Sequence, residues 1–126
     1  MSFLVSVLSA QASLKDNMEV IGNTFQILGK QFRDPSKNAD SAQQAAKLNG
    51  LFTASLNEVP STIAHLPEEQ KAEALAHYTT LMQQEVDLTV ELQKAFEAND
   101  NAGAKVILMK MLDIQKQGHG AFKPPQ

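Results

Sequence analysis

A chain of 126 residues has room for one compact domain and not for two ordinary ones. Its apolar share of 43% supplies one core and its charged share of 20% a water-facing surface, while a net charge of −3 argues against nucleic acid or an anionic membrane as the main partner. Cysteine is absent, which excludes disulfides, thiolate metal sites, thiol catalysis and the Cys-x-x-Cys-His tether of covalently attached haem.

The chain opens on an apolar run, Phe3-Leu4-Val5-Ser6-Val7-Leu8, followed by Ala10-Gln11-Ala12. That small-x-small pattern is the kind a signal peptidase cuts after, so residues 1–12 read as the remnant of a secretory leader whose basic opening stretch is missing. An ordinary apolar turn packed on the domain is the alternative. The run is too short to span a bilayer. On the leader reading, residues 13–126 form the exported domain, with no membrane insertion of the mature chain.

From Ser13 onward the pattern is helical. Ser13 with Asp16 makes a capping-box arrangement, and Leu14, Met18, Ile21, Phe25 and Leu28 recur at spacings of four and three, the stripe of one helix face. Gly29 and Asp34-Pro35-Ser36-Lys37-Asn38 end this helix. A second helix is expected near Asp40 or Ser41, capped with the help of Gln44, with inner face Ala45, Leu48, Phe52, Leu56 and Val59, and stopped by Pro60. Residues 61–66 read as a connection. Pro67-Glu68-Glu69 starts a third helix, proline leading and carboxylates near the positive end of the dipole.

That third helix runs to about Ala98 with Leu75, Tyr78, Leu81, Met82, Leu88, Leu92 and Phe96 inward. Asn99-Asp100-Asn101 forms a tight turn, and the fourth helix begins at Ala102 or Gly103, carries Ile107, Leu108, Met111, Leu112 and Ile114, and fades at Gly118-His119-Gly120. No alternating run of strand length occurs. The expected fold is all-α, an antiparallel up-down-up-down four-helix bundle.

In such a bundle the start of the first helix and the end of the fourth share one end. Met18 lies on the inner stripe there, and His119 lies seven residues beyond Leu112, so the two face each other. A thioether opposed to an imidazole is the pair that holds low-spin haem iron in electron-transfer proteins. On spacing alone, core filling by Met18 and a solvated or helix-end role for His119 remain open.

The segment Leu14-Lys15-Asp16-Asn17-Met18-Glu19 resembles the mature N-terminus of soluble cytochrome b562, whose ligand methionine sits in just such an Asp-Asn-Met-Glu run. The stretch from Leu92 to His119 can be laid on that family's last turn and fourth helix without a gap, with His119 on the ligand histidine. The similarity covers nearly all of the chain after Ala12. It implies one non-covalent haem b with iron held by Met18 and His119, a periplasmic location, and single-electron exchange with redox proteins that the sequence does not identify. It places Tyr78 and Met82 at the haem wall, with core packing as their other role. Gly118 and Gly120 depart from the better helix formers of the family, and Gln115 stands where the family can carry an arginine.

Other candidates are weaker. His65 and His77 read as surface or boundary histidines; Glu73 and His77 could share a metal, but no Glu-x-x-His of the di-iron bundles occurs. Glu68-Glu69 and Glu85 with Asp87 read as solvated faces. There is no phosphate loop, nucleophile elbow or His-Glu-x-x-His, so no enzyme is expected. The alternative function is a haem-free bundle of the same fold serving as a binding or stress-response module. The chain is expected to be a monomer, with a dimer as the alternative.

Overall fold

A computed structural model describes the backbone of residues 2–122 and the side chains of residues 15–118. Among the described residues every regular element is helical: α1 (Ser2–Gln31), a 3₁₀ turn (Pro35–Lys37), α2 (Asn38–Ser55), α3 (Ser61–Ala64), α4 (Glu68–Glu97) and α5 (Asn101–Phe122). These are five α-helices, the additional one being a single turn in the link that reads as a connection. No helix among the described residues is long and apolar enough to cross a membrane.

The inner face of α1 follows its four-and-three spacing, with Ile21, Phe25 and Leu28 buried and Met18 packed against their edge. Thr24 is buried on the same face because its hydroxyl donates to the Val20 carbonyl at 2.7 Å, satisfying the polar atom within the helix. The helix runs unbroken through Ala10-Gln11-Ala12 and Ser13, so Ser13 is not its cap. A cap belongs to the first turn of a helix, and Ser13 lies in the interior of α1.

α2 begins at Asn38, ahead of the expected Asp40 or Ser41. Asp34 opens the preceding turn by accepting from the Ser36 amide at 3.0 Å and the Ser36 hydroxyl at 2.7 Å. With the start moved forward, Ser41 is buried inside the helix and accepts from the Gln31 side chain at 3.1 Å, and Gln44 completes no capping box. Ala45, Leu48 and Phe52 are buried as their spacing requires. The helix ends at Ser55, before Pro60, and Val59 is 50% exposed instead of inward. The proline ring disfavours helical backbone at the residue before it, and the Pro60 carbonyl instead accepts the amides of Ile63 and Ala64 to open α3. Ile63 then buries its side chain in the core.

In α4, Tyr78, Leu81, Met82, Leu92 and Phe96 are buried, while Leu75 is exposed, so the stripe starts one turn later than its spacing implies. Asn99 adopts the left-handed backbone conformation (φ 57°) that asparagine tolerates at helix ends. Asp100 then caps α5, its carboxylate accepting the Gly103 amide at 2.9 Å. The stripe of α5 is Ala104, Leu108 and Met111, with Leu112 45% exposed.

Three junctions meet at one end of the molecule. The buried Asn38 side chain donates to Asn99 and Asn101 at 3.0 Å each, and the Asn101 amide donates to the Phe32 carbonyl at 2.7 Å and back to Asn38 at 2.9 Å. The end of α1, the start of α2 and the α4–α5 turn are therefore fastened together. Beyond this knot the close helix pairs are α2 with α4, α4 with α5, and α1 with α2; among the described residues α1 and α5 approach one another less closely.

Candidate functional site

At the end remote from the asparagine knot, Met18 is half-buried against the core. On α4, Tyr78 and Met82 are both buried. The Tyr78 hydroxyl donates to the Ser55 carbonyl at 2.7 Å, and burial, then the Glu58 carboxylate, push its phenol up to about 12. The hydroxyl thus serves the last turn of α2 and keeps its proton throughout the physiological range. Met82 belongs to the core cluster, so the packing role named for both residues is realised.

The fourth candidate, His119, lies within the backbone of α5, but its side chain falls outside the described residues. Its neighbour Gly118 is half-buried, and a Cβ there would stand 4.0 Å from Leu81 Cδ1. This brings the last turns of α5 alongside Leu81, between the levels of Tyr78 and Met82. Met18 stands two turns beyond Phe25, whose ring meets that of Phe52 on α2 at 6.2 Å, and so lies toward the same end. Leu112, from which the inward register of His119 was counted, is exposed, whereas Leu108, eleven residues before it and close to the same helical angle, is buried. Gln115, one turn before His119, is half-buried.

The remaining histidines are at the surface. His65 sits with its ring Nδ1 2.7 Å from the Ser61 carbonyl, and His77 and Glu73 are exposed on α4. No group of three or more His, Cys, Asp or Glu side chains capable of holding a metal ion occurs among the described residues. A shallow groove of about 360 Å³ runs along α4 and α5 between Asp87, Glu91, Lys110 and Asp113. It lies on the outer flank of those helices and includes none of the four candidate residues.

One reading of the charged residues is overturned. Asp87 is exposed as expected, but Glu85 is 0% exposed and both of its oxygens are buried without a hydrogen-bond partner. Burial alone pushes its carboxyl up to about 8. The signal was present in the spacing: Tyr78, Met82, Glu85, Thr89, Leu92 and Phe96 advance by four, three, four, three and four, and all are buried. Asp87, two residues on, is acidic like Glu85 but lies on the opposite, exposed side of the helix.

Comparison with known proteins returns no matching family model, no matching curated protein and no matching solved structure.

Proposed function

We propose that this chain is an exported electron-transfer protein, an up-down-up-down four-helix bundle that holds one non-covalent haem b between Met18 and His119. The observation that carries the reading is the grouping at one end of the fold. Met18 on α1, Tyr78 and Met82 on α4, and Gly118 next to His119 on α5 gather opposite the asparagine knot.

The donor set suits the group. A thioether favours the ferrous state and raises the potential, and an imidazole supplies the second axial nitrogen. Bound haem would supply reversible one-electron exchange. The chain's own residues would hold and shield it: Met18 as the soft ligand, His119 as a neutral base, and Tyr78 with Met82 as an apolar wall excluding water. Tyr78 is suited to that wall because its polar atom is already engaged by Ser55. The leader reading of residues 1–12 makes the periplasm the compartment, and the partners would be redox proteins that exchange one electron at a time.

A haemin titration of the full chain, followed by visible absorption in oxidised and reduced forms, tests this. Saturation at one haem per chain with sharp low-spin reduced bands is expected. Weak, non-stoichiometric binding with a broad spectrum would replace it with the second reading, a haem-free bundle acting as a binding or stress-response module. The enclosure of Tyr78 and Met82 in a core that is already packed favours that reading.

A further inference from the structure

Glu85 occupies the middle of the α4 inner stripe, between Met82 and Thr89, with its side chain wholly enclosed and neither oxygen hydrogen-bonded. The polar groups nearest along the helix are already engaged. Thr89 donates its hydroxyl hydrogen to the Val86 carbonyl at 2.6 Å and accepts the Asn49 amide at 2.9 Å, while Tyr78 is bonded to Ser55. Among the described residues no helix around it offers a countercharge. Glu19 and Lys30 of α1, Lys47 of α2, and Lys110, Asp113 and Lys116 of α5 are exposed, like every other ionisable side chain described on those helices; α3 carries none, and Asp87 and Glu91 on α4 itself are exposed.

A carboxylate removed from water with neither donor nor countercharge is unfavourable enough that the group takes up a proton instead. We infer that Glu85 is a proton-operated switch of bundle closure: the closed bundle holds it as a neutral acid, and loss of that proton to water opens and hydrates the core at the middle of α4. The raised pKa agrees with this assignment in direction. The switch needs no cofactor and goes beyond the haem reading.

Its sign is opposite to that of ordinary acid denaturation. In the unfolded chain Glu85 ionises near 4.5, in the folded chain near 8. Between those values folding takes up one proton, so the folding constant falls about tenfold per pH unit as pH rises, and the loss levels off above the folded value.

The experiment is urea unfolding of the full chain without haem, from about pH 5 to about pH 9, for the native sequence, Glu85→Gln and Glu85→Leu. Infrared spectra of each are taken in the carbonyl region. Relative to the variants, the native chain should lose stability by close to tenfold per pH unit up to about pH 8. It should show a protonated-carboxyl band at mildly acid pH that Glu85→Gln removes, and should take up a hydrophobic dye at alkaline pH when Glu85→Leu does not. Parallel pH profiles for native and variant chains would overturn the switch. So would absence of the protonated band from the folded native chain, which would mean that an ionised Glu85 has found water or a cation. Glu85→Leu keeps the comparison available if the glutamine variant folds poorly, and the native infrared band decides if both do.

Discussion

The Tyr78 hydroxyl donates across 2.7 Å to the main-chain carbonyl of Ser55, joining the inner stripe of α4 to the last turn of α2. Ser55 is itself fully buried and its hydroxyl is spent on the Leu51 carbonyl at 2.8 Å, so Tyr78 supplies a donor to a carbonyl at a helix end, where intrahelical donors run out. Removing that donor leaves the carbonyl with only the Glu58 amide, 3.2 Å away. Tyr78→Phe is expected to destabilise the chain by about 0.5–1.5 kcal/mol, read as a lower urea midpoint with an unchanged slope. The ring remains, so haem affinity in the same variant should change little. A variant that loses haem but not stability would mean that the hydroxyl acts on the cofactor and not on α2.

The asparagine knot should be worth more than any single hydrogen bond within it, because Asn38 and Asn101 together join three chain segments. Asn38→Ala removes the donor to both Asn99 and Asn101 and the acceptor for Asn101. A loss of about 2–3 kcal/mol is expected. Combining it with Asn101→Ala should add much less than the sum, since both changes break the same contacts. Full additivity in a double-mutant cycle would show that the residues act separately.

Gly103 leaves room for its neighbour's side chain. A Cβ at this position would overlap the Asp100 carboxylate, the group that caps α5. Gly103→Ala should therefore bring none of the usual gain of about 1 kcal/mol for replacing helical glycine by alanine, because displacing the cap costs about as much. Asp100→Ala should cost about the same, and in its background Gly103→Ala should become favourable. Thermal midpoints of the four proteins decide.

Met18 is only half-buried, and so matters little to the fold and greatly to the proposed site. Met18→Ala should lower stability without haem by roughly 1 kcal/mol or less, below the range for a fully buried methionine. With haem bound it should convert the spectrum to high spin. A spectrum identical to that of the native chain would remove Met18 from the ligand set.

Haem retention should weaken on the acid side, because the imidazole of His119 must be neutral to bind iron. Protonation competes with iron, so haem affinity falls as the solution is acidified. Transfer of haem to an acceptor protein as pH is lowered is the measurement; a flat rate would argue against an imidazole ligand.

The two ends of the fold differ in how far the chain discloses them. The helical pattern, its breaks at Asp34-Pro35 and Asn99-Asp100, and most of the core are written in local chemistry: four-and-three spacing of Ile21, Phe25 and Leu28, or of Leu48 and Phe52, leaves few alternatives. Met18, Tyr78 and Met82 are legible for the same reason, as members of those stripes. The side chain of His119 lies outside the described residues, so its place rests on the chain order of the helices and on Gly118 beside Leu81.

Tertiary packing alone decided the rest. Spacing sets which residues share a helix face, but not how wide the buried sector is or where along the helix a neighbour begins and ends. Leu75 and Leu112 are exposed although they share a helix with the core residues, because no partner helix covers them there. Glu85 is buried because α4 meets its neighbours along that stripe whatever residue occupies it, and the helix cannot turn one charged side chain outward without turning Met82 and Thr89 with it. The helices and their faces follow from local periodicity alone. The knot of Asn38, Asn99 and Asn101, the bond from Tyr78 to Ser55 and the neutral acid at Glu85 depend on residues far apart in the chain or on the closure of other helices over one position, and those exist only once the bundle has formed.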